Sequence, residues 1–152
     1  MCIGGACELT KPDKTMTTFL LMNLFFLAVA MATPASDDAE VRAAIKQFST
    51  AADNQDAAMV GEVLHKEAQQ FFMGENGLVR LETGTYLGML EQKKIGGTPR
   101  KLSIDRVTVD GNMASAQATM SNDAYRFDNF ISLMKIDGEW QIMSIVLRMQ
   151  AK

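Results

Sequence analysis

The chain has 152 residues, of which 47% are hydrophobic and 22% are charged. A single domain of this size can bury enough apolar surface to fold without disulfides, and this balance excludes a disordered chain or a fibrous repeat. The net charge is −3 and the basic residues are scattered, which argues against a nucleic-acid surface because such a surface needs Lys and Arg clustered on one face.

The N-terminal segment has the pattern of an export signal. Residues 17–32 are apolar and uncharged, Lys11 and Lys14 precede them, and small residues follow at the spacing of a cleavage site. We therefore predict a signal peptide and leader over residues 1–35 and a single periplasmic or extracellular domain over residues 36–152. An uncleaved membrane anchor is the alternative, and after cleavage we expect no membrane span.

Both cysteines, Cys2 and Cys7, precede the apolar segment. The mature domain would therefore hold no disulfide and no thiol chemistry. A lipoprotein would need a cysteine directly after the apolar segment, where this sequence has none. Met16 is an alternative start, and the sequence leaves that choice open.

The mature chain begins with two predicted helices. Ser36 is a candidate N-cap, and apolar residues then recur at helical spacing to about Asn54. Asp56 is a candidate cap for a shorter second helix that ends near His65. The two helices would form a hairpin over the core.

A short hairpin and a third helix follow. Phe71–Met73 reads as a strand that turns at Gly74–Gly77 and returns over the next apolar residues. Thr83 is a candidate cap for a third helix to about Lys94, which Gly96 and the next glycine would end.

The remaining sequence alternates between apolar and polar residues, with Asp-Gly hairpin turns. It predicts four long antiparallel strands: Leu102–Val109, Met113–Ser121, Tyr125–Ile136 and Trp140–Met149. Helices followed by an antiparallel sheet indicate an α+β fold.

The last predicted strand is apolar on both faces. Strict alternation puts Gln141, Met143, Ile145, Leu147 and Met149 on one face and Trp140, Ile142, Ser144, Val146 and Arg148 on the other. Because the helices can cover only one face, we predict that the other is buried in a homodimer.

Several segments carry a family resemblance over about Asp38 to Met149. They are Leu64-His65 with Ala68, Ile104 with Asp110-Gly111-Asn112 and Ala114, and the run from Phe127 to Ile142. With this element order the chain resembles the nuclear transport factor 2-like superfamily, and in detail its putative lumazine-binding family. The resemblance implies a cone-shaped fold in which three N-terminal helices pack on a strongly curved, mixed but mainly antiparallel sheet. The family name also implies a pocket for a flavin precursor.

The ketosteroid isomerases are enzymes of this fold, and they use an Asp base opposite a Tyr and a protonated Asp. By resemblance these positions fall on Met73 for the base, Phe48 for the Tyr and Ser132 for the acid. Met and Phe can neither take nor donate the required proton, and a serine is too weak a donor to compensate. We therefore predict that isomerase chemistry is absent.

His65 is the one histidine of the chain and the candidate general base of an alternative function. In that hypothesis the domain is a lyase or dehydratase, and Asp128 orients the imidazole. The simpler interpretations are a histidine that contacts helix-end carbonyls and an Asp128 that pairs with Arg126 or Arg148. A lone histidine does not make a metal site, so we expect no metal and no cofactor.

The leading hypothesis is an exported, non-catalytic module that binds a small apolar or aromatic ligand. A dimeric protein-interaction domain is the second alternative. The predicted pocket residues are Phe48, His65, Met73, Tyr86, Met120, Phe130, Ser132 and Trp140.

Overall fold

A computed structural model describes residues 36–152 of the chain. The predicted leader, residues 1–35, lies outside the described residues. Residues 36–152 belong to a single compact unit. Within them, no helix has both the length and the apolar character needed to cross a membrane.

Two helices precede the first strand, and a third lies between the second and third strands. Two of the three begin with a side-chain cap. The Ser36 Oγ accepts a hydrogen bond from the Ala39 N–H at 3.3 Å, and the Asp56 carboxylate accepts one from the Met59 N–H at 2.9 Å. Both predicted caps are confirmed, and each satisfies a backbone donor that the helix cannot. The helices are α1 (Asp37–Asp53), α2 (Ala57–Val63) and α3 (Thr83–Glu91).

Six strands form one sheet in the order β2-β1-β6-β5-β4-β3. The β1 and β6 strands pair in parallel, and every other pair is antiparallel. The prediction of an α+β fold with three helices on a mixed, mainly antiparallel sheet is confirmed. The strands are β1 (Leu64–Gly74), β2 (Gly77–Glu82), β3 (Lys101–Asp110), β4 (Met113–Ser121), β5 (Tyr125–Ile136) and β6 (Glu139–Ala151).

The second helix is shorter than predicted and the first strand much longer. The α2 helix ends at Val63, and His65 lies on β1 rather than at a helix end. The polar run from Lys66 to Gln69 gave no strand signal in the sequence. It lies in a strand that is fixed by pairing at both ends of the run. Leu64 is opposite Ile142 of β6, and Gln69 is opposite Glu82 of β2 and Ser144 of β6, with a register shift between Leu64 and Gln69.

Thr83 does not cap α3. Glu82 occupies the N-cap position without a side-chain hydrogen bond. The Thr83 hydroxyl is buried and lies near two β1 carbonyls, donating to His65 O at 2.8 Å with Ala68 O at 3.1 Å. Thr83 therefore links the start of α3 to β1 by hydrogen bonds. The helix ends at Glu91, three residues before the predicted end.

The core lies between the helices and one face of the sheet. Val41 and Ile45 of α1 are fully buried, and burial of each such side chain stabilises the fold by about 2 kcal/mol. On β4 the predicted alternation is confirmed, because Ala114, Ala116 and Ala118 are buried while the residues between them are more exposed. We call this side of the sheet the helix-facing face and the opposite side the open face.

The last strand contains a β-bulge that reassigns its faces. Ser132 of β5 is opposite Ser144, but the next residue, Leu133, is opposite Ile142, so Met143 has no partner on β5. An extra residue in one strand reverses the alternation of side chains from that point onward.

Neither face predicted for β6 by strict alternation is therefore correct. Before the bulge Trp140 and Ile142 are buried, and after it Ile145 is buried on the helix-facing face. The open face after the bulge carries Ser144, Val146 and Arg148, and is more polar than predicted.

Candidate functional site

A cavity of about 530 Å³ lies between the helices and the sheet. Its position follows from the sequence of elements: α1 and α3 cover the helix-facing face, and the segment between α3 and β3 forms part of the rim. The helices contribute Phe48, Ala52, Tyr86 and Met89, and the rim segment contributes Lys94, Ile95, Gly96 and Arg100. The strands contribute Gln70, Phe72, Leu81, Met120, Tyr125, Phe127, Asn129, Ile145, Leu147 and Met149.

Two aromatic rings form the helical wall. The centroids of Phe48 and Tyr86 are 5.9 Å apart and their planes differ by 23°, so the rings are stacked. Burial raises the pKa of the Tyr86 phenol to about 12. Tyr86 is therefore neutral at physiological pH, and its hydroxyl remains a hydrogen-bond donor.

One buried polar group in the wall is unsatisfied. Gln70 is 5% exposed and lies on β1 opposite Leu81 of β2 and Ile145 of β6. Its Nε2 has no hydrogen-bond partner among the described residues. A buried donor without a partner costs about 1–3 kcal/mol, so an acceptor that reached this amide would stabilise it.

Asn129 shows the contrast on the same wall. It is also buried, but its Nδ2 donates to Ala118 O at 3.2 Å and to Phe127 O at 3.0 Å. The amide of Asn129 is thus held by the sheet itself, whereas no described residue satisfies the buried Nε2 of Gln70.

The rim of the cavity is basic. The Arg100 guanidinium forms an ion pair with Asp53 at the end of α1, and the Arg100 N–H donates to the same carboxylate at 2.9 Å. The guanidinium also lies over the Phe127 ring, 5.6 Å from its centroid. Lys94 is exposed and has no ion pair within residues 36–152.

Gly96 lets the rim approach α1 closely. It has a φ of 73°, and a Cβ there would lie 2.1 Å from Ala52 O. Gln55 supports the loop by donating from Nε2 to Ile95 O at 2.9 Å. The rim therefore packs against the end of α1 at a distance that only glycine permits.

Three of the predicted pocket residues line this cavity: Phe48, Tyr86 and Met120. Their elements were predicted correctly, so their faces followed from helical or strand periodicity.

The other predicted pocket residues lie elsewhere. Met73 is 72% exposed beside the β1–β2 turn. Phe130 and Ser132 are exposed on the open face, because Asn129 and Ile131 take the alternate, buried positions of β5. The isomerase positions assigned to Met73 and Ser132 by resemblance therefore do not face the cavity.

Trp140 is buried near the start of α1, away from the cavity. Its Nε1 donates to the Asp37 carboxylate at 3.3 Å, and Lys135 lies 5.8 Å from its ring centroid. Lys135 also pairs with Asp37 and Glu40. Trp140 thus joins the last hairpin to the first helix instead of lining the cavity.

The structure separates His65 from Asp128 and so contradicts the general-base hypothesis. Leu64, next to His65, is opposite Ile142 of β6, whereas Asp128 is opposite Arg148, six residues further along the strand. Six residues of strand span about 20 Å. Neither side chain lines the cavity.

Each of these two residues has a local role. The His65 Nδ1 accepts a hydrogen bond from the Glu67 N–H at 3.2 Å. Asp128 pairs with Arg148 at 2.7 Å and with Arg126 at 2.8 Å, and these hydrogen bonds lower the pKa of its carboxyl group. The cross-strand ion pair considered for Asp128 is confirmed.

Sequence reasoning missed several cavity residues. Alternation on β5 could have placed Phe127 with Asn129 on the buried face, opposite Phe130. Gln70 had no such signal, because the predicted strand began one residue later. Strict alternation did not allow for the bulge at Met143, so Leu147 and Met149 were not assigned to the cavity. Within residues 36–152, no cluster of His, Cys, Asp and Glu could hold a metal ion.

This fold is shared with solved structures of low sequence identity. A nuclear transport factor 2-like protein of unknown function from Silicibacter pomeroyi is 22% identical, with a TM-score of 0.67 over 74% of this chain and 94% of that one. A similar protein of unknown function from Shewanella baltica is 17% identical, with a TM-score of 0.68 over 75% and 94%. A ketosteroid isomerase-like protein from Erwinia carotovora is 15% identical, with a TM-score of 0.62 over 77% and 98%.

These helices and this sheet have the fold of the nuclear transport factor 2-like structures, and a family match over residues 36–147 supports the same superfamily. Residues 36–147 match the model of one family within it, and the chain belongs to that family, the putative lumazine-binding family. None of the curated proteins compared with the chain is a significant match.

Proposed function

We propose that the domain is an exported, non-catalytic module that holds a small apolar or aromatic molecule in the cavity. The observation that carries this proposal is the cavity itself, with about 530 Å³ of space and a wall of aromatic and aliphatic side chains. Pockets that bind small molecules span about 300–1,000 Å³ and have walls of this kind. The name of the family agrees with a ligand-binding role.

The chemistry of the wall favours binding over proton transfer. Apart from the basic Lys94 and Arg100, its polar side chains are two amides and the phenols of Tyr86 and Tyr125, and the raised pKa of Tyr86 keeps that phenol protonated. Amide and phenol groups orient a ligand by hydrogen bonds but are poor general bases near neutral pH.

The test uses N-phenyl-1-naphthylamine, an uncharged aromatic probe that becomes fluorescent in apolar surroundings. Leu147 lines the cavity, and Leu147→Trp would fill part of it. Leu78 is 69% exposed and is not part of the wall, so Leu78→Trp is the matched control.

We expect the wild-type protein and Leu78→Trp to bind the probe alike, and Leu147→Trp to bind at least tenfold more weakly. Circular dichroism would check that both variants are folded. A folded wild-type protein that does not bind the probe, or equal binding by the two variants, would contradict the proposal.

Export rests on the apolar, uncharged segment at residues 17–32. A signal peptide would be cleaved near Ala32, and N-terminal sequencing of the protein after secretion by a bacterial host would locate the cut. Retention of the whole leader would favour the membrane-anchor alternative.

A homodimer is a second proposal, supported by the open face. Val146 is 51% exposed and Phe130 is 59% exposed, and the two residues are direct partners on β6 and β5. Phe71 of β1 lies opposite Val146 on its other side. This apolar row crosses three strands, and a second copy of the chain would remove it from water.

A further inference from the structure

The interior end of the cavity offers a hydrogen bond that the protein does not use. The Gln70 side chain is 95% buried, since 5% of its surface is exposed, and it lines the cavity with an unpartnered Nε2. An amide N–H is satisfied by an acceptor such as a carbonyl oxygen. The following inference rests on the proposed function, in which a small molecule occupies the cavity. Such a ligand carries a hydrogen-bond acceptor at the end that reaches Gln70.

The opposite end of the cavity is positively charged. Within the described part of the chain, the charged side chains that line the cavity are Lys94 and Arg100, and both are basic. Asp53 neutralises much of the Arg100 charge, but Lys94 has no ion pair in residues 36–152. A ligand with a negative group at the rim would pair with the Lys94 ammonium group.

Gln70 and the Arg100 part of the rim lie at different levels along the strands of the sheet. Gln70 lies beside Ile145, which is opposite Ile131 on β5. Arg100 lies over Phe127, four residues earlier on the same strand. Four residues of strand span about 13 Å, the length of a bicyclic aromatic compound with a substituent at each end. The stacked Phe48 and Tyr86 rings line the same cavity.

We propose that the cavity selects an elongated aromatic anion, with a carbonyl-type acceptor inserted to Gln70 and its negative group at Lys94. The apolar wall binds the ring system, and the two polar ends set the direction of insertion. Neutral aromatic compounds would bind through the wall alone, with lower affinity.

Three fluorescent naphthalene probes separate these contributions. N-phenyl-1-naphthylamine has only the rings, 8-anilinonaphthalene-1-sulfonate adds a negative group, and 6-propionyl-2-dimethylaminonaphthalene carries a ketone and no charge. Each would be titrated against the wild-type protein and the Lys94→Gln and Gln70→Leu variants.

Lys94→Gln tests the charged rim. We expect about a three- to tenfold loss of affinity for the sulfonate probe, decreasing at high salt because exposed charges are screened. The uncharged naphthylamine should bind as before. Equal effects on both probes, or no effect on the sulfonate, would overturn the anionic part of the proposal.

Gln70→Leu tests the buried donor with a side chain of similar size. One hydrogen bond of about 1 kcal/mol corresponds to roughly a fivefold loss of affinity for the ketone probe, and the naphthylamine should bind as well or better. A ketone probe unaffected by this change would overturn the assignment of Gln70.

The naphthylamine also distinguishes failure of the binding function from failure of the proposed ligand class. If it does not bind the wild-type protein, the proposed binding function fails. If it binds the wild-type protein and binds Leu147→Trp more weakly, while Lys94→Gln and Gln70→Leu leave the other probes unaffected, the binding function stands and the elongated aromatic anion is the wrong ligand class.

Discussion

Tyr86 shows how burial alone sets the chemistry of a residue in the cavity. Desolvation is the largest cause of its raised pKa, since ionisation would place a charge in an apolar wall. Arg100 lowers the pKa and Asp53 raises it, and both effects are smaller than the effect of burial. The nearby ion pair therefore does not activate the phenol as a base.

This residue predicts a specific alkaline transition. The folded-state pKa of about 12 lies above the ordinary tyrosine value of 10.0, so the folded state holds the proton more tightly. Below pH 10 the phenol is protonated in the folded and the unfolded state, and the fold keeps its full stability. The free energy of unfolding should fall by up to about 2 kcal/mol as the pH rises from 10 to 12. Tyr86→Phe should remove this decrease.

The measurement is tyrosinate absorbance near 295 nm, taken as the difference between the wild-type protein and Tyr86→Phe. The difference isolates the titration of Tyr86, with an expected midpoint near 12. A midpoint near 10 would show that the phenol is exposed to water and that the stacked wall does not form.

At the scale of elements, the connection from α3 to β3 builds the rim of the cavity. It is held to the end of α1 by a backbone hydrogen bond from Gly97 N to Asp53 O at 2.9 Å and by the ion pair between Arg100 and Asp53. These contacts fix a segment that has no regular secondary structure. They also place the Arg100 guanidinium over the sheet.

Two glycine substitutions test how tightly the rim is packed. Gly96→Ala would put a Cβ 2.1 Å from the Ala52 carbonyl oxygen at a φ of 73°, and should lower the free energy of unfolding by about 2 kcal/mol or more. Gly88→Ala lies within α3, where a Cβ meets no atom within 4 Å, and should raise it by about 0.5–1 kcal/mol.

Urea unfolding of the two variants gives the comparison. The midpoints should move in opposite directions, and the Gly96→Ala variant should also bind the naphthylamine probe more weakly because the rim must shift. Equal stability of the two variants would mean that the rim does not pack against α1.

At the scale of the whole molecule, the two faces of the sheet have different roles. The helix-facing face is buried under α1 and α3 and encloses the cavity. The open face carries the ion pairs of Asp128 next to the apolar row of Phe130 and Val146. An apolar row bordered by charges is typical of a protein interface.

Val146→Lys tests the proposed homodimer. A buried, unpaired charge in the interface should dissociate the dimer into folded single chains, observed by sedimentation or light scattering. Met59 of α2 is 41% exposed on the helical layer, so Met59→Lys should leave the dimer intact. A wild-type protein that is monomeric at high micromolar concentration would contradict the proposal.

Some of the candidate site could be predicted from the sequence. Phe48 and Met120 lie on elements whose apolar periodicity places them on the buried side, and Tyr86 lies on the predicted third helix. Gln70 could not be found in this way, because it follows a mostly polar part of β1 and pairs with β6, which is distant in sequence.

Local chemistry thus determined the α+β fold, the caps at Ser36 and Asp56 and the turns of the meander, because each depends on residues close together in the chain. The tertiary structure decided the extent of β1, the parallel pairing of β1 with β6, and the bulge at Met143. Those features depend on the pairing of distant strands, and a one-residue shift in that pairing moves every later side chain to the other face. The wall of the cavity, including its unpartnered amide, follows from that register.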